Sequence, residues 1–306
     1  MNPKATRSVF LAGLLAAAAL ICAAPAMAQP QAPETLTGTL AKARQTGAIT
    51  IGYRESSVPF SFLNTRNEPV GYSIELCRAL VTAIEDAVNR SLAIKWAPVT
   101  SDSRITAVES GAVDLECGST TSNLERQKRV SFSPTIFVSG TKVLVKKGSP
   151  IKSFRDLAGK RVAVTAGTTN EKTLRELSQK FKLGINLQVT RDHADSFGLV
   201  KNGQADAFAT DDVLLYGLIA RDAAKDEYEV VGDYLSYDPY GIMYRKGDAQ
   251  LGKVINDTFQ VLAEDGEIER QYKRWFLRKL PTGESINLPM SAQLEAIIQT
   301  MAVKAE

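Results

Sequence analysis

The feature that most constrains this chain is a doubled pattern: short apolar runs alternate with segments whose apolar residues recur at helical spacing. In the first cycle, Ile49-Thr50-Ile51-Gly52-Tyr53 and Leu92–Trp96 read as strands. Between them Ile74, Leu76, Cys77, Leu80, Val81 and Ile84 fall on one helical face, in a helix opened by Gly71-Tyr72. A short helix, Arg104–Ser110, ends at Gly111. In the second cycle Arg161–Val164, Asn186–Val189 and Asp206–Thr210 read as strands, and Asn170–Phe181, Ala194–Asn202 and Asp212–Arg221 as helices. Both cycles carry the same device, Gly111-Ala112-Val113-Asp114-Leu115 and Gly203-Gln204-Ala205-Asp206-Ala207. Strands separated by helices specify an α/β fold with largely parallel sheets, and the repetition specifies two similar lobes. Phe132 to Val145 and Gly241 to Arg245 read as extended runs. The chain is expected to leave the first lobe near Ile136–Gly140 and to return near Ser236–Asp238. Two crossing strands make a natural hinge. The helices Leu251–Gly266, Ile268–Trp275 and Ser291–Val303 are expected to complete the first lobe. The expected boundaries are 1–28 for a leader, 29–138 plus 238–306 for lobe 1, and 139–237 for lobe 2.

The leader is read from charge and hydropathy. Lys4 and Arg7 precede an uncharged stretch, Ser8 to Ala24, and Ala26-Met27-Ala28 is a small-x-small cleavage pattern. Cleavage after Ala28 leaves Gln29 first. The competing reading, a membrane anchor, meets an Ala-rich stretch broken by Pro25 and shorter than the ~20 residues a span needs. Cys22 follows Ile21, where a lipid-attachment signal needs a small residue. No later segment is apolar enough to cross a membrane, so the mature chain is expected in the periplasm. In that oxidising compartment Cys77 and Cys117 permit a disulfide; two buried free thiols are the alternative. Lys and Arg number 37 against 34 Asp and Glu, well interspersed. That balance offers no global field to nucleic acid or anionic lipid, so any charge-based function must be local. With one histidine and no Cys-x-x-Cys, no metal site or cysteine nucleophile is expected.

Ligands of open α/β sheets sit beyond the carboxyl ends of the strands, and those positions are polar here. Arg54 follows the first strand, Thr100-Ser101-Asp102-Ser103-Arg104 the second, and Ser119-Thr120-Thr121 the third, with Arg126 soon after. The second cycle offers Gly167-Thr168-Thr169, Asp192-His193 and Thr210-Asp211-Asp212. Three arginines, several hydroxyls and one well-placed carboxylate, Asp211, suit a ligand with two carboxylates and one ammonium. Arginine holds a carboxylate through two parallel N–H···O bonds, and the helix start at Gly167-Thr168-Thr169 suits an anion. Each cluster also has a plainer explanation. A single arginine is usually a solvated surface group. Ser119-Thr120-Thr121, Thr168-Thr169, His193 and Asp211-Asp212 can each be helix caps. The Gly-Thr-Thr turn lacks the Gly-Lys-Ser/Thr of a phosphate loop.

Several of these residues also form motifs. Pro59-Phe60-Ser61-Phe62, Gly71-Tyr72-Ser73-Ile74-Glu75-Leu76, Val113-Asp114, Ser122-Asn123-Leu124-Glu125-Arg126 and Trp275-Phe276 resemble the type II periplasmic amino-acid-binding proteins. Glu116-Cys117-Gly118-Ser119-Thr120-Thr121, Ser101 with Arg104, and Asp192-His193-Ala194-Asp195-Ser196-Phe197 resemble their glutamate/aspartate-binding branch. The resemblance spans nearly all of the mature chain. It implies a two-lobed periplasmic binding protein fold, with two mixed, mostly parallel sheets and a two-strand hinge. It also implies delivery of L-glutamate or L-aspartate to an inner-membrane ABC permease; separately, no cofactor is expected and the protein is expected to be a monomer. By resemblance, Arg126 clamps the ligand α-carboxylate with Thr121, Thr168 and Thr169, while Ser119 and Asp211 accept the ammonium. Arg54, Ser101, Arg104 and His193 form the side-chain carboxylate pocket, and a protonated His193 is expected beside that carboxylate. Similar scaffolds resemble cyclohexadienyl dehydratases and murein lyases, which need a general acid or base in the cleft. Here the candidates for that role are Asp211 and His193. A periplasmic sensor would use an identical binding site.

Overall fold

A computed structural model describes residues 35–281 and 283–303. The leader and its cleavage site, residues 1–28, lie outside the described residues. The described chain forms a two-lobed α/β fold.

The first lobe begins with α1 (Gly38–Thr46) and β1 (Ala48–Tyr53), followed by three short strands, β2 (Ser56–Ser57), β3 (Ser61–Leu63) and β4 (Pro69–Val70). Then come α2 (Tyr72–Val88), β5 (Ala93–Pro98), α3 (Arg104–Ser110), β6 (Leu115–Glu116), α4 (Leu124–Gln127) and β7 (Val130–Phe132). The chain crosses on β8 (Phe137–Ser139) into β9 (Thr141–Lys146). The second lobe continues with β10 (Arg161–Thr165), α5 (Thr169–Lys180), β11 (Asn186–Thr190), α6 (His193–Lys201), β12 (Ala207–Asp211), α7 (Asp212–Arg221) and β13 (Tyr228–Val231). It returns on β14 (Asp238–Tyr240) into β15 (Met243–Arg245) and ends with α8 (Ala249–Glu264), α9 (Glu267–Tyr272) and α10 (Ala292–Met301).

The two main sheets have matching logic. One has the order β5-β1-β6-β15-β7 and the other β11-β10-β12-β9-β13. In each, three strands run parallel and the fourth is antiparallel to both neighbours. That fourth strand follows directly from a crossing strand: β9 from β8, and β15 from β14. The crossing strands pair with each other, Ser139 opposite Asp238 and Phe137 opposite Tyr240. Parallel strands covered on both faces must be apolar throughout, which explains why the consecutive residues Val162, Ala163 and Val164 are fully buried.

Four expectations change in detail. The run Phe132–Val145 is three strands, not one, because Pro134 cannot donate to a ladder and the chain passes from one sheet to another at Gly140. At Gly140 a Cβ would lie 2.3 Å from the carbonyl oxygen of Ser236, so the two crossing segments approach as closely as they do only with glycine there. The run Gly241–Arg245 is extended only from Met243. The helix read over Ile268–Trp275 breaks after Tyr272 into a wider π turn, Lys273–Leu277. The small β2-β3-β4 sheet is the fourth difference; strands of two or three residues leave no periodic signal.

Cys77, buried on α2, is bonded to Cys117 just past β6. The bridge closes a loop with a sequence separation of 40. Replacing both by serine is expected to lower unfolding stability by about 3–4 kcal/mol through the entropy restored to the unfolded chain. Urea melts of the double variant and of the parent with and without reductant check this, and coincident midpoints would refute it.

Candidate functional site

The candidate residues come from the carboxyl ends of parallel strands and the turns that follow them. Eight of the ten line one cavity between the lobes: Ser101, Arg104, Ser119, Thr121, Thr168, Thr169, His193 and Asp211. Asn170 and Leu214 complete the lining. Arg54 and Arg126 do not line it. Arg126 lines an adjoining groove with Ser101, Thr168 and Thr169. Arg54 follows β1, has no exposed surface, and reaches across to Asp192, Nη2 to Oδ2 at 3.1 Å.

The lobes meet closely. Arg126 donates Nη1 to the Thr121 carbonyl at 2.9 Å and Nη2 across the cleft to the Gly167 carbonyl at 3.1 Å. The Ala194 N–H donates to Ser56 Oγ at 3.3 Å, and Lys172 meets Glu125 at 3.0 Å. The cavity left between them is about 10 Å³, close to the minimum for one water. An amino acid can therefore enter only if the lobes part.

Buried polar atoms without a partner mark what the site is built for. These include Arg54 Nε and Nη1, Arg104 Nε, Ser101 Oγ and Ser119 Oγ. Leaving a buried donor unmade costs about 1–3 kcal/mol, more for a charged group. Arg104 has only a long contact, Nη1 to the Ser119 carbonyl at 3.4 Å. Burial, then the neighbouring Arg126 and Arg54 charges, pulls its guanidinium below the ordinary value to about 9, against the opposing pull of Glu116. Arg126 is lowered too, again chiefly by burial. The arginine cluster thus favours an added anion.

Opposite the donors stands Asp211. Its Oδ1 accepts from Asn170 Nδ2 at 2.8 Å, and its Oδ2 accepts from the Tyr240 hydroxyl. Burial, then the Asp238 charge, pushes its carboxyl up to about 7. His193 is fully enclosed, with Nδ1 2.9 Å from Thr165 Oγ1. Burial first, then Arg54, hold the imidazole well below its usual value. Burial therefore opposes protonation of the ring in this arrangement, whereas the protonated form is expected beside a ligand carboxylate.

The plainer cap explanations separate cleanly. Asn123, not Ser119-Thr120-Thr121, caps α4 by accepting from the Arg126 N–H at 2.9 Å. Thr168 does cap α5, its hydroxyl accepting from the Glu171 N–H at 3.1 Å while donating to the Thr165 carbonyl. Only its backbone and the free first-turn N–H groups of α5 remain for an anion. Asp192, not His193, caps α6. Asp212 accepts from Val213 N–H and Ser139 Oγ, while Asp211 makes no cap bond.

Four polar residues that matter are given no role from sequence. Asn170 bridges Asp211 and Thr141. Asp238 accepts from Thr121 at 3.0 Å and Thr169 at 2.8 Å. Glu116 is fully buried and accepts from Thr120 at 2.7 Å, with Oε1 unpartnered. Asp192 holds Arg54. Glu116 and Asp192 lie inside quoted motifs, but only the tertiary structure shows what each of the four touches. Among the described residues, no group of His, Cys, Asp and Glu has the arrangement of a metal site.

With this geometry in hand, comparison with known proteins is informative. Residues 49–278 match the model of the bacterial extracellular solute-binding proteins, family 3. The chain belongs to that family. The L-glutamate/L-aspartate-binding protein of Pseudomonas aeruginosa is 43% identical over 282 residues, covering 91% of this chain and 93% of that one. The glutamate/aspartate import solute-binding protein of Escherichia coli is 41% identical, covering 87% and 89%. Among solved structures, a variant of an arginine-binding protein from T. maritima superposes with a TM-score of 0.70 at 25% identity, covering 78% of this chain and 99% of that one. An ancestral amino acid-binding protein, described as a precursor of cyclohexadienyl dehydratase, gives 0.67 at 30% identity, covering 78% and 99%. Among the described residues, no helix of this family member is long and apolar enough to cross a membrane.

Proposed function

We propose that this chain is the periplasmic receptor of an ABC-type importer for acidic amino acids. It captures L-glutamate and L-aspartate as a monomer, and hands them to an inner-membrane permease. The observation that carries the reading is the set of unpartnered, buried Arg104, Ser101 and Ser119 groups lining one cavity with a carboxylate, Asp211, while the Arg54 charge, its Nε and Nη1 also unpartnered, acts on Arg104 from beside it. A dicarboxylate with one ammonium satisfies both sides. A neutral ligand would leave guanidinium groups buried and unpaired, which costs several kcal/mol. The family is one of solute-binding proteins, not of enzymes.

In this reading lobe 1 is residues 29–138 plus 238–306, and lobe 2 is residues 139–237. They hinge on β8 and β14. Arg126, Thr121 and the start of α5 at Thr168-Thr169 take the α-carboxylate. Asp211 and Ser119 take the ammonium. Arg54, Ser101, Arg104 and His193 take the side-chain carboxylate. Residues 1–28 direct export and are removed.

Calorimetric titration of refolded mature protein with glutamate, aspartate, glutamine and a neutral amino acid tests the reading. Glutamate and aspartate are expected to bind within about 1–3 kcal/mol of each other, since they differ by one methylene. Glutamine and the neutral amino acid are expected to fail. Tight glutamine binding would mean that Arg54 and Arg104 do not meet the ligand.

A further inference from the structure

Two chain segments line both the inner cavity and a larger pocket beside it. Of residues 100–104, Ser101 and Arg104 face the inner cavity, and Thr100 and Ser103 the outer pocket. Of residues 192–194, His193 faces inward, and Asp192 and Ala194 outward. The outer pocket measures about 420 Å³. The wall between the two spaces is thus one residue thick on each lobe. The Arg54–Asp192 ion pair, 3.1 Å long, joins the lobes beside it, and its Arg54 is completely buried. That guanidinium keeps Nε and Nη1 unpartnered, so Asp192 satisfies Nη2 and leaves the other two nitrogens without an acceptor.

Resting on the acidic-amino-acid reading above, we propose that Asp192 is a specificity-determining residue that limits ligand length. Its carboxylate already fills the place beside Arg54 Nη2 that the terminal carboxylate of a longer amino acid would take. On this proposal the side-chain carboxylate of glutamate meets the unpartnered Nε and Nη1 of Arg54 and stops short of that place. 2-Aminoadipate, one methylene longer, must either compress or displace Asp192. Removing the Asp192 carboxylate lets the ligand carboxylate replace it on Arg54 and extend toward the outer pocket.

The variant D192S tests this while keeping a hydroxyl able to cap α6 in place of the Asp192 carboxylate, which accepts from the Ala194 N–H. Calorimetry with glutamate and with 2-aminoadipate reads the affinity ratio. The parent is expected to favour glutamate, and in D192S the ratio is expected to move toward 2-aminoadipate by about tenfold or more. D192N, which keeps the side-chain volume, is expected to keep the parental ratio. If D192S fails to fold, judged by thermal melting, D192A carries the same comparison. An unchanged ratio in a folded variant, or equal loss of both ligands, overturns the length limit and leaves Asp192 a closure contact. A shift in D192N as large as in D192S also overturns it, because charge rather than length would then be at work. If the parent binds no acidic amino acid at all, it is the functional reading that fails, and the length limit with it.

Discussion

Arg104→Leu is expected to abolish useful binding of acidic amino acids while making the ligand-free protein more resistant to heat. The two effects have one cause. Arg104 is 3% exposed, carries an unpartnered Nε, and shares its surroundings with two other guanidinium groups. Truncating one partner of a buried charge pair costs about 2–5 kcal/mol of binding, an affinity loss of about thirtyfold or more. Without ligand, the same side chain is a buried charge whose desolvation is poorly offset, and an apolar replacement of such groups is often neutral or stabilising by about 1–4 kcal/mol. For a chain of this size each kcal/mol moves the melting temperature by roughly 2–4 °C. Calorimetry with glutamate and thermal melts of the free protein read both effects. A variant that still binds glutamate tightly, or that melts well below its parent, would count against the account. Binding sites built this way trade free-state stability for affinity, so the melting temperature of the parent should rise steeply with glutamate.

Affinity for glutamate is expected to rise from pH 5 to pH 7 and to level off above that. Asp211 sets the sign. In the free protein its carboxyl is pushed up to about 7, by burial and then by Asp238. Accepting an ammonium favours the ionised form, so the carboxyl titrates lower in the complex and binding releases a proton. Affinity therefore climbs by at most about tenfold per pH unit below pH 7. His193 would act with the opposite sign if a ligand carboxylate drew a proton onto it. Burial and Arg54 hold it well below its usual range, which moves that contribution toward lower pH. Titrations in buffers of different ionisation enthalpy should show close to one proton released near pH 6. Asp211→Asn should bind weakly and lose the slope. A flat profile from pH 5 to pH 7 would show that Asp211 is already ionised before the ligand arrives.

The same two groups bear on the stability of the free protein, with opposed signs. Asp211, raised in the folded state, contributes stability at pH values below the ordinary carboxyl range. That contribution is lost as pH rises through about 7. His193, lowered in the folded state, contributes above the ordinary imidazole range and loses that contribution as pH falls. The two partly cancel between roughly pH 4 and pH 7 in the free chain.

Much of this arrangement is legible in the linear chain, because it rests on local chemistry. The alternation of β1, α2, β5, α3 and β6, and its echo from β10 to α7, follows from apolar periodicity and from glycines at helix ends such as Gly111. Arginines and hydroxyls at strand ends mark the proposed anion-binding edge, because a parallel strand must deliver its polar residues where it leaves the core. Cap and site, however, look alike in sequence. Thr168 serves as a cap while Ser119 and Asp211 do not, and only the direction of each hydroxyl or carboxylate separates them. The protonation of His193 was equally hidden. It depends on enclosure by residues up to 139 positions away in the chain, including Arg54. Asp192 and Asp238 matter for the same reason: each gains a partner, Arg54 or Thr169, when two lobes distant in sequence are brought face to face, while Asn170 meets Asp211 only once the second sheet has folded. Residue type and spacing determined which chemistry this chain could offer. Which groups pair, and which are left buried and waiting for a ligand, was decided by the fold, because hydrogen bonds and desolvation depend on distances of a few ångströms that no linear pattern records.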